Sequence, residues 1–261
     1  MKQLLHFKDY GAGLPLIILH GLFGTGDNWN TIAKHLADQF RIIVPDLRNH
    51  GRSFHSKEHS LQLMTEDILH LMDFLNIEKA NILGHSMGGK VAMTLSLMYP
   101  YRCSGLIVAD IAARGYSRGH DSVFAALDAS DPENAIDRKE IQQRLHPFLQ
   151  DEITEQFLMK SLVRNPEGGK GFHWRFNPEA LYENYENIIG PVWSEKPYIG
   201  PVLFIRGSRS NYILDSDLSQ IRQLFPTAVL QEIQNAGHWV HADQPQEIIR
   251  IIHQFLLAQN A

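Results

Sequence analysis

The chain has 261 residues, 44% of them apolar and 20% charged, a length that suits one large α/β domain with an insertion and a balance too apolar for a disordered chain. Its formal net charge is −5, and the scattered Lys and Arg residues make neither a nucleic-acid surface nor a polybasic membrane patch. The single cysteine, Cys103, excludes an intrachain disulfide. From Met1 the sequence turns polar before an apolar core develops, so no signal peptide is expected, and no apolar run approaches the roughly 20 residues that span a bilayer. These features suit a reduced, cytoplasmic protein, monomeric or homodimeric, with no nucleic-acid partner and no membrane insertion.

Taken in chain order, residues 4–7 followed by Tyr10-Gly11-Ala12-Gly13 predict an antiparallel hairpin at a sheet edge. Strand-sized runs follow at residues 14–19, 42–45, 80–83, 106–109, 202–205 and 229–233. Several are apolar almost throughout, as parallel strands buried on both faces are. Helical patterns lie between them: Leu61, Met64, Ile68, Leu71, Met72 and Leu75 recur at spacings of three and four, and Pro245 suits the first turn of a helix through Ile248–Leu256. Strands alternating with helices imply right-handed crossovers and a mostly parallel sheet. From about 112 to 197 the alternation stops. Residues 123–127, 141–149, 153–162 and 181–189 read as helices, no buried strand is expected, and Pro166, Gly168, Gly169 and Gly171 mark a loop at 165–172. The predicted organisation is therefore a core of residues 1–111 and 198–261 carrying a helical lid at 112–197.

The strongest chemical signal is Gly84-His85-Ser86-Met87-Gly88, a G-x-S-x-G pattern directly after a strand and before a helix-forming run. A serine at so sharp a turn is held in a strained conformation that exposes its Oγ, and the flanking glycines let the chains pass without Cβ clashes. The following helix N-terminus aims amides at a developing oxyanion. His20-Gly21-Leu22-Phe23-Gly24, at the end of an early strand, suits an oxyanion loop whose Leu22 amide acts with that of Met87. Such a serine needs an imidazole base. His238, in Asn235-Ala236-Gly237-His238-Trp239 between the last strand and the last helix, is the first choice, with His241 its nearest rival. His55, His59, His70 and His253 read as surface groups.

The acid is less direct. It usually follows the next-to-last strand, but Ser210 stands there, and Asp215 and Asp217 further on look like helix-capping groups. Asp110 ends the strand at 106–109 and emerges at the nucleophile's edge of the sheet. Asp110 is favoured, with Asp215 and Asp217 as the alternatives, and the order Ser86, Asp110, His238 keeps the serine–acid–histidine sequence of this chemistry.

At these residues the chain resembles the α/β-hydrolase superfamily, and more narrowly the YbfF-type bacterial esterases and their mitochondrial relatives. The segments that carry the resemblance are His20–Gly24, Asp46-Leu47-Arg48-Asn49-His50-Gly51, Gly84–Lys90, Ala109-Asp110-Ile111-Ala112, Trp174-Arg175-Phe176-Asn177 and Gly237-His238-Trp239-Val240-His241. The resemblance implies an acid after the earlier strand, hence Asp110. It also implies hydrolysis of short-to-medium acyl esters, or acyl-CoA thioesters, beneath a helical lid. The Asp46–Ser53 segment is expected to organise the loop under the site, with Arg48 and His50 in structural roles. His20, Phe23, Phe124, Trp174, Phe176, Tyr182 and Trp239 are the candidate substrate contacts. The expected partner is a small ester or thioester, with no metal or organic cofactor. Another lid-bearing hydrolase, a carbon–carbon bond hydrolase or a cofactor-free haloperoxidase-like esterase, shares these residues, and a ligand-binding receptor on the same fold is the alternative from outside enzymology.

Overall fold

The computed structural model describes residues 3–149, 151–166 and 169–259; Met1, Lys2 and Gly168 of the predicted loop lie outside the described residues. The strands are β1 (Phe7–Tyr10), β2 (Pro15–Leu19), β3 (Arg41–Pro45), β4 (Ala80–His85), β5 (Cys103–Ala109), β6 (Leu162–Arg164), β7 (Phe172–Trp174), β8 (Val202–Gly207) and β9 (Ala228–Ile233). Seven of them form one sheet in the order β1-β3-β2-β4-β5-β8-β9. All pairings in it are parallel except β1 with β3.

Both faces of this sheet are covered, and the alternation of side chains shows how. Ile17, Leu19, Ile43, Ile82, Leu106 and Val108 pack with the helices Leu61–Phe74 and Met87–Met98 on one side. Leu16, Ile18, Ile42, Val44, Leu83 and Ile107 pack with Asn30–Leu36 and Pro245–Leu257 on the other. A period of two along strands that are apolar at every position produces this two-sided core. The helices start where local chemistry satisfies their free amides: Ser60 accepts from Leu63 N at 3.2 Å, and Pro245 stands in the first turn of the last helix.

Three expectations change. The predicted edge hairpin does not form, because β2 is flanked on both sides by parallel partners and β1 finds its free edge on β3, with Phe7 opposite Pro45 and Tyr10 opposite Ile42. Between β5 and β8 the described residues form five α-helices, Asp121–Ala129, Arg138–Leu145, Glu152–Lys160, Pro178–Glu183 and Tyr185–Ile189, but also the antiparallel pair β6–β7. Each strand of that pair has three residues, too few to display a period of two in the sequence. The predicted helix at 181–189 is two short ones, separated at Asn184.

The insertion is pinned to the core at both ends by one side chain. Lys90, in the helix Met87–Met98, is 2% exposed. Its ammonium donates to Arg114 O at 2.9 Å, Ile189 O at 3.1 Å and Gly190 O, so all three N–H groups are used. Burial and the Arg114 guanidinium push its pKa down to about 7. Lys90→Met keeps the stem but leaves three inward-facing carbonyls without their donor. Urea unfolding of this variant is expected to show a loss of about 3 kcal/mol, and a change below about 1 kcal/mol would mean that the carbonyls find other donors.

Candidate active site

Ser86 joins β4 to the helix Met87–Met98 at φ 53°, ψ −121°, a region that costs an L-residue of order 1–3 kcal/mol. Its amide is held by Ala109 O at 3.1 Å, and its own carbonyl accepts from Lys90 N at 3.1 Å. The turn closes only because two neighbours lack side chains. A Cβ on Gly84 would lie 2.1 Å from Gly88 O, and one on Gly88 would lie 2.4 Å from Leu19 O.

Asp110 follows β5 directly, at φ 52°, and is fully buried. Three donors converge on its carboxylate: Gly207 N at 3.0 Å on Oδ1, His238 Nδ1 at 2.8 Å on Oδ2, and the Ser210 hydroxyl on the same Oδ2. With Nδ1–H given to Asp110, the lone pair of His238 lies on Nε2. The imidazole is sandwiched on one side by Tyr212, ring centroids 3.6 Å apart and nearly parallel at 16°. Its backbone is held by His85 Nε2, which donates to His238 O at 2.8 Å. Asp215 and Asp217 are elsewhere: Asp215 pairs with Arg206 at 2.7 Å and Asp217 with Arg114 at 3.0 Å.

The loop Gly21–Gly24 is cross-braced by two neutral histidines. His20 gives Nδ1–H to Gly21 O at 2.9 Å and accepts Leu47 N on Nε2 at 3.0 Å. His50 gives Nδ1–H to Arg48 O at 2.9 Å and accepts Phe23 N on Nε2 at 3.2 Å. Each ring thereby ties this loop to the Leu47–His50 segment. Arg48 is itself fixed by a two-pronged pair with Asp67, at 2.5 and 2.8 Å. Among the described residues the Leu22 and Met87 amides make no hydrogen bond within the protein, and both residues border Ser86.

A cavity of about 270 Å³ contains Ser86 and His238, with His20, Phe23 and Trp239 among its walls. The other four aromatic candidates are not there. Phe124, Trp174, Phe176 and Tyr182 line a separate groove of about 1070 Å³. Phe23 stands between the two, its ring centroid 5.4 Å from that of Phe124 and 5.2 Å from that of Phe176. Ser210, Tyr212, His85, His120 and Phe157 belong to the site and were not singled out as contacts from sequence. Only Ser210 carried a signal, as the residue standing where an acid usually does. His59, expected at the surface, is fully buried and packs beside His50, centroids 5.9 Å apart. The segment that carries it folds under the Asn49–His50 turn, with Asn49 Nδ2 at 3.3 Å from His59 Nδ1.

No group of three or more metal-ligating side chains is assembled among the described residues. The charge balance of the site is set by burial. Desolvation holds His20 below the ordinary imidazole range and His50 and His85 well below it, and takes His59 and His241 down to about 3. The charge that His238 carries when protonated adds to this at His85 and His241.

Residues 15–245 match the family model for the alpha/beta hydrolase fold. The chain is 36% identical over 247 residues to the esterase YbfF of Escherichia coli, covering 93% of this chain and 92% of that protein. It is 39% identical over 257 residues to the sn-1-specific diacylglycerol lipase ABHD11 of Mus musculus, covering 95% and 83%. Among solved structures, a marine microorganism esterase superposes with a TM-score of 0.94 at 40% identity, covering 97% of this chain and all of that one.

The buried histidines make stability depend on pH with a definite sign. Their folded pKa values are depressed, so below about 6.5 the unfolded chain binds more protons than the folded one, and stability falls on acidification. Each contributes about 1.4 kcal/mol per pH unit once the pH lies below its unfolded value and above its folded one. Urea midpoints are expected to fall steeply from pH 6 to pH 4, with His59→Gln shallower by one histidine's share. A profile flat from pH 7.5 to pH 4 would contradict the neutral-histidine frame.

Proposed function

The chain belongs to the α/β-hydrolase fold family, and from that membership we propose that it is a carboxylic ester hydrolase working through an acyl-enzyme on Ser86. The observation that carries the reading is the hydrogen bond of His238 Nδ1 to the buried Asp110, 2.8 Å, in a cavity shared with a strained serine. In this reading Ser86 Oγ attacks the ester carbonyl while His238 Nε2 takes its proton, and Asp110 fixes the imidazole's tautomer and orientation. The Leu22 and Met87 amides, unspent among the described residues, bind the oxyanion. The alcohol leaves with the proton from His238, and water then hydrolyses the acyl-enzyme with the same base. Among the described residues the Ser86 hydroxyl makes no hydrogen bond, and such contacts commonly tighten only once substrate is engaged.

Residues 112–197 act as the lid: they supply His120, Val123, Leu149 and Phe157 to the cavity over Ser86. The cavities at Ser86, about 270 and 90 Å³, are small beside ligand pockets, which begin near ~300 Å³, and favour short-to-medium acyl esters. The ester bond is also what the names of the Escherichia coli and mouse relatives have in common. No helix among the described residues is long and apolar enough to cross a membrane. A cytoplasmic location is consistent with Cys103, a lone buried thiol whose pKa burial pushes up to about 12.

Ser86→Ala is expected to remove turnover of p-nitrophenyl esters without unfolding the protein, and a fluorophosphonate label on the parent enzyme to map to Ser86. Asp110→Asn should lower kcat by about 10⁴, whereas Asp215→Asn, on an exposed group paired with Arg206, should change it less than about twofold. The reverse order of the two aspartates would move the acid to the later loop.

A further inference from the structure

Two cavities meet at Ser86, and one side chain of the insertion borders both. The larger, about 270 Å³, is walled by His238 and Trp239. The smaller, about 90 Å³, extends past Met87 and Lys90 towards Ile189, and His238 is not part of its wall. His120 lines the two of them.

The ring of His120 is held by its back edge. Nδ1 lies 2.5 Å from the Tyr185 hydroxyl, and that hydroxyl also accepts Gly119 N at 3.4 Å. The hydroxyl proton therefore goes to His120 Nδ1, which leaves the neutral ring with its own proton on Nε2. Edge-to-face packing on Phe23, centroids 6.0 Å apart, and on Tyr185, 5.7 Å apart, sets the ring plane. Among the described residues Nε2 has no hydrogen-bond partner, and unlike His59 Nε2 or His241 Nδ1 it is not sealed from solvent. Burial, reinforced by the charge that His238 carries when protonated, takes the pKa of His120 down to about 4, so the ring remains a neutral donor from about pH 5 upward.

We propose that His120 contacts the substrate, its Nε2–H donating a hydrogen bond to the leaving-group oxygen of the bound ester. The proposal rests on the reading of Ser86 as nucleophile and His238 as its base. His238 must hand its proton to the leaving oxygen, so the leaving group occupies the cavity that His238 lines and the acyl chain takes the smaller one. His120, at the join of the two, is then level with the bond that breaks. The proton balance is unchanged by it. The Ser86 proton passes to His238 Nε2 as the Oγ–C bond forms, and passes on to the leaving oxygen as the C–O bond breaks. His120 transfers none, and its hydrogen bond strengthens as negative charge grows on that oxygen.

The test compares two esters with the same acyl group, methyl butyrate and p-nitrophenyl butyrate. A nitrophenolate departs with little assistance, whereas a methoxide needs it. His120→Phe is expected to lower kcat/KM for methyl butyrate about tenfold more than for p-nitrophenyl butyrate, the scale of one hydrogen bond. His120→Gln, which offers an amide N–H near the position of Nε2, should recover most of that difference. Tyr185→Phe, which removes the group that fixes the tautomer, should show the same ester-dependent loss in smaller measure and serves if His120→Phe does not fold. Equal losses on the two esters, or no loss on either, would overturn the proposal and leave His120 as packing. Full hydrolysis of both esters by Ser86→Ala would instead remove the nucleophile reading, and this proposal with it.

Discussion

Ser86 occupies a backbone state that almost any other arrangement would relax, and the surrounding architecture is what keeps it there. The residue before it ends β4, all six of whose residues are buried, and the residue after it begins a helix packed on that same strand. The reversal between them fits only if Gly84 and Gly88 lie against each other's backbone and Gly88 against Leu19. The strain of order 1–3 kcal/mol is small beside the burial of the strand and helix on either side. Asp110 and Phe23 show the same feature, at φ 52° and 62°. All three lie where a strand or its loop leaves the sheet at one edge; Ser86 and Phe23 line one cavity, and Asp110 reaches it through His238.

Around that edge the structure assembles an unusual number of imidazoles and keeps them uncharged. His20, His50, His85 and His241 use neutral rings as rigid spacers, two of them accepting backbone amides that a protonated ring would repel. The consequence is electrostatic as well as mechanical. His238 must become an imidazolium during the proposed turnover, and a second positive ring beside it would oppose that step. His85 lies 4.8 Å from it, centroid to centroid, and His241 is stacked on Trp29 just beyond. Desolvation holds both neutral, so Asp110 faces the only imidazole of this group that it needs to stabilise.

What was legible from sequence was the geometry encoded in short stretches. Gly84–Gly88 specifies an elbow by itself, because the glycines and the strand–helix context are local. Asp110 was legible because a carboxylate at the end of a strand must emerge at the sheet's carboxyl edge. Pairings decided by distant chain were not. β1 takes its place on β3 because β2 has no free edge, which depends on β3 and β4 together. Burial of His59 depends on how the segment after Gly51 folds beneath Asn49, and nothing in Glu58-His59-Ser60 announces it. The lid aromatics were misplaced for a related reason. Phe124 and Tyr182 lie on different helices and pack against each other, and nothing local in either helix says on which side of Phe23 they come to lie.

The attachment of the insertion narrows how substrate reaches Ser86. Lys90 grips the chain at Arg114 and again at Ile189–Gly190. Tyr116 adds a second fastening, accepting Ala112 N at 2.8 Å and donating to Tyr212 O at 2.5 Å. Tyr212 is the ring stacked on His238, so the first turn of the insertion and the base are held by one set of contacts. The roof that carries His120 is thus fixed to the nucleophile's own helix and to the His238 loop. On the other wall of the cavity Phe157 packs on Trp239, ring centroids 5.6 Å apart, and Ser161 at the end of the same helix donates to Phe23 O at 3.1 Å. An ester bound with its leaving group toward His238 and its acyl end toward the cavity beyond Ser86 has the orientation that the proposed roles of the two histidines require.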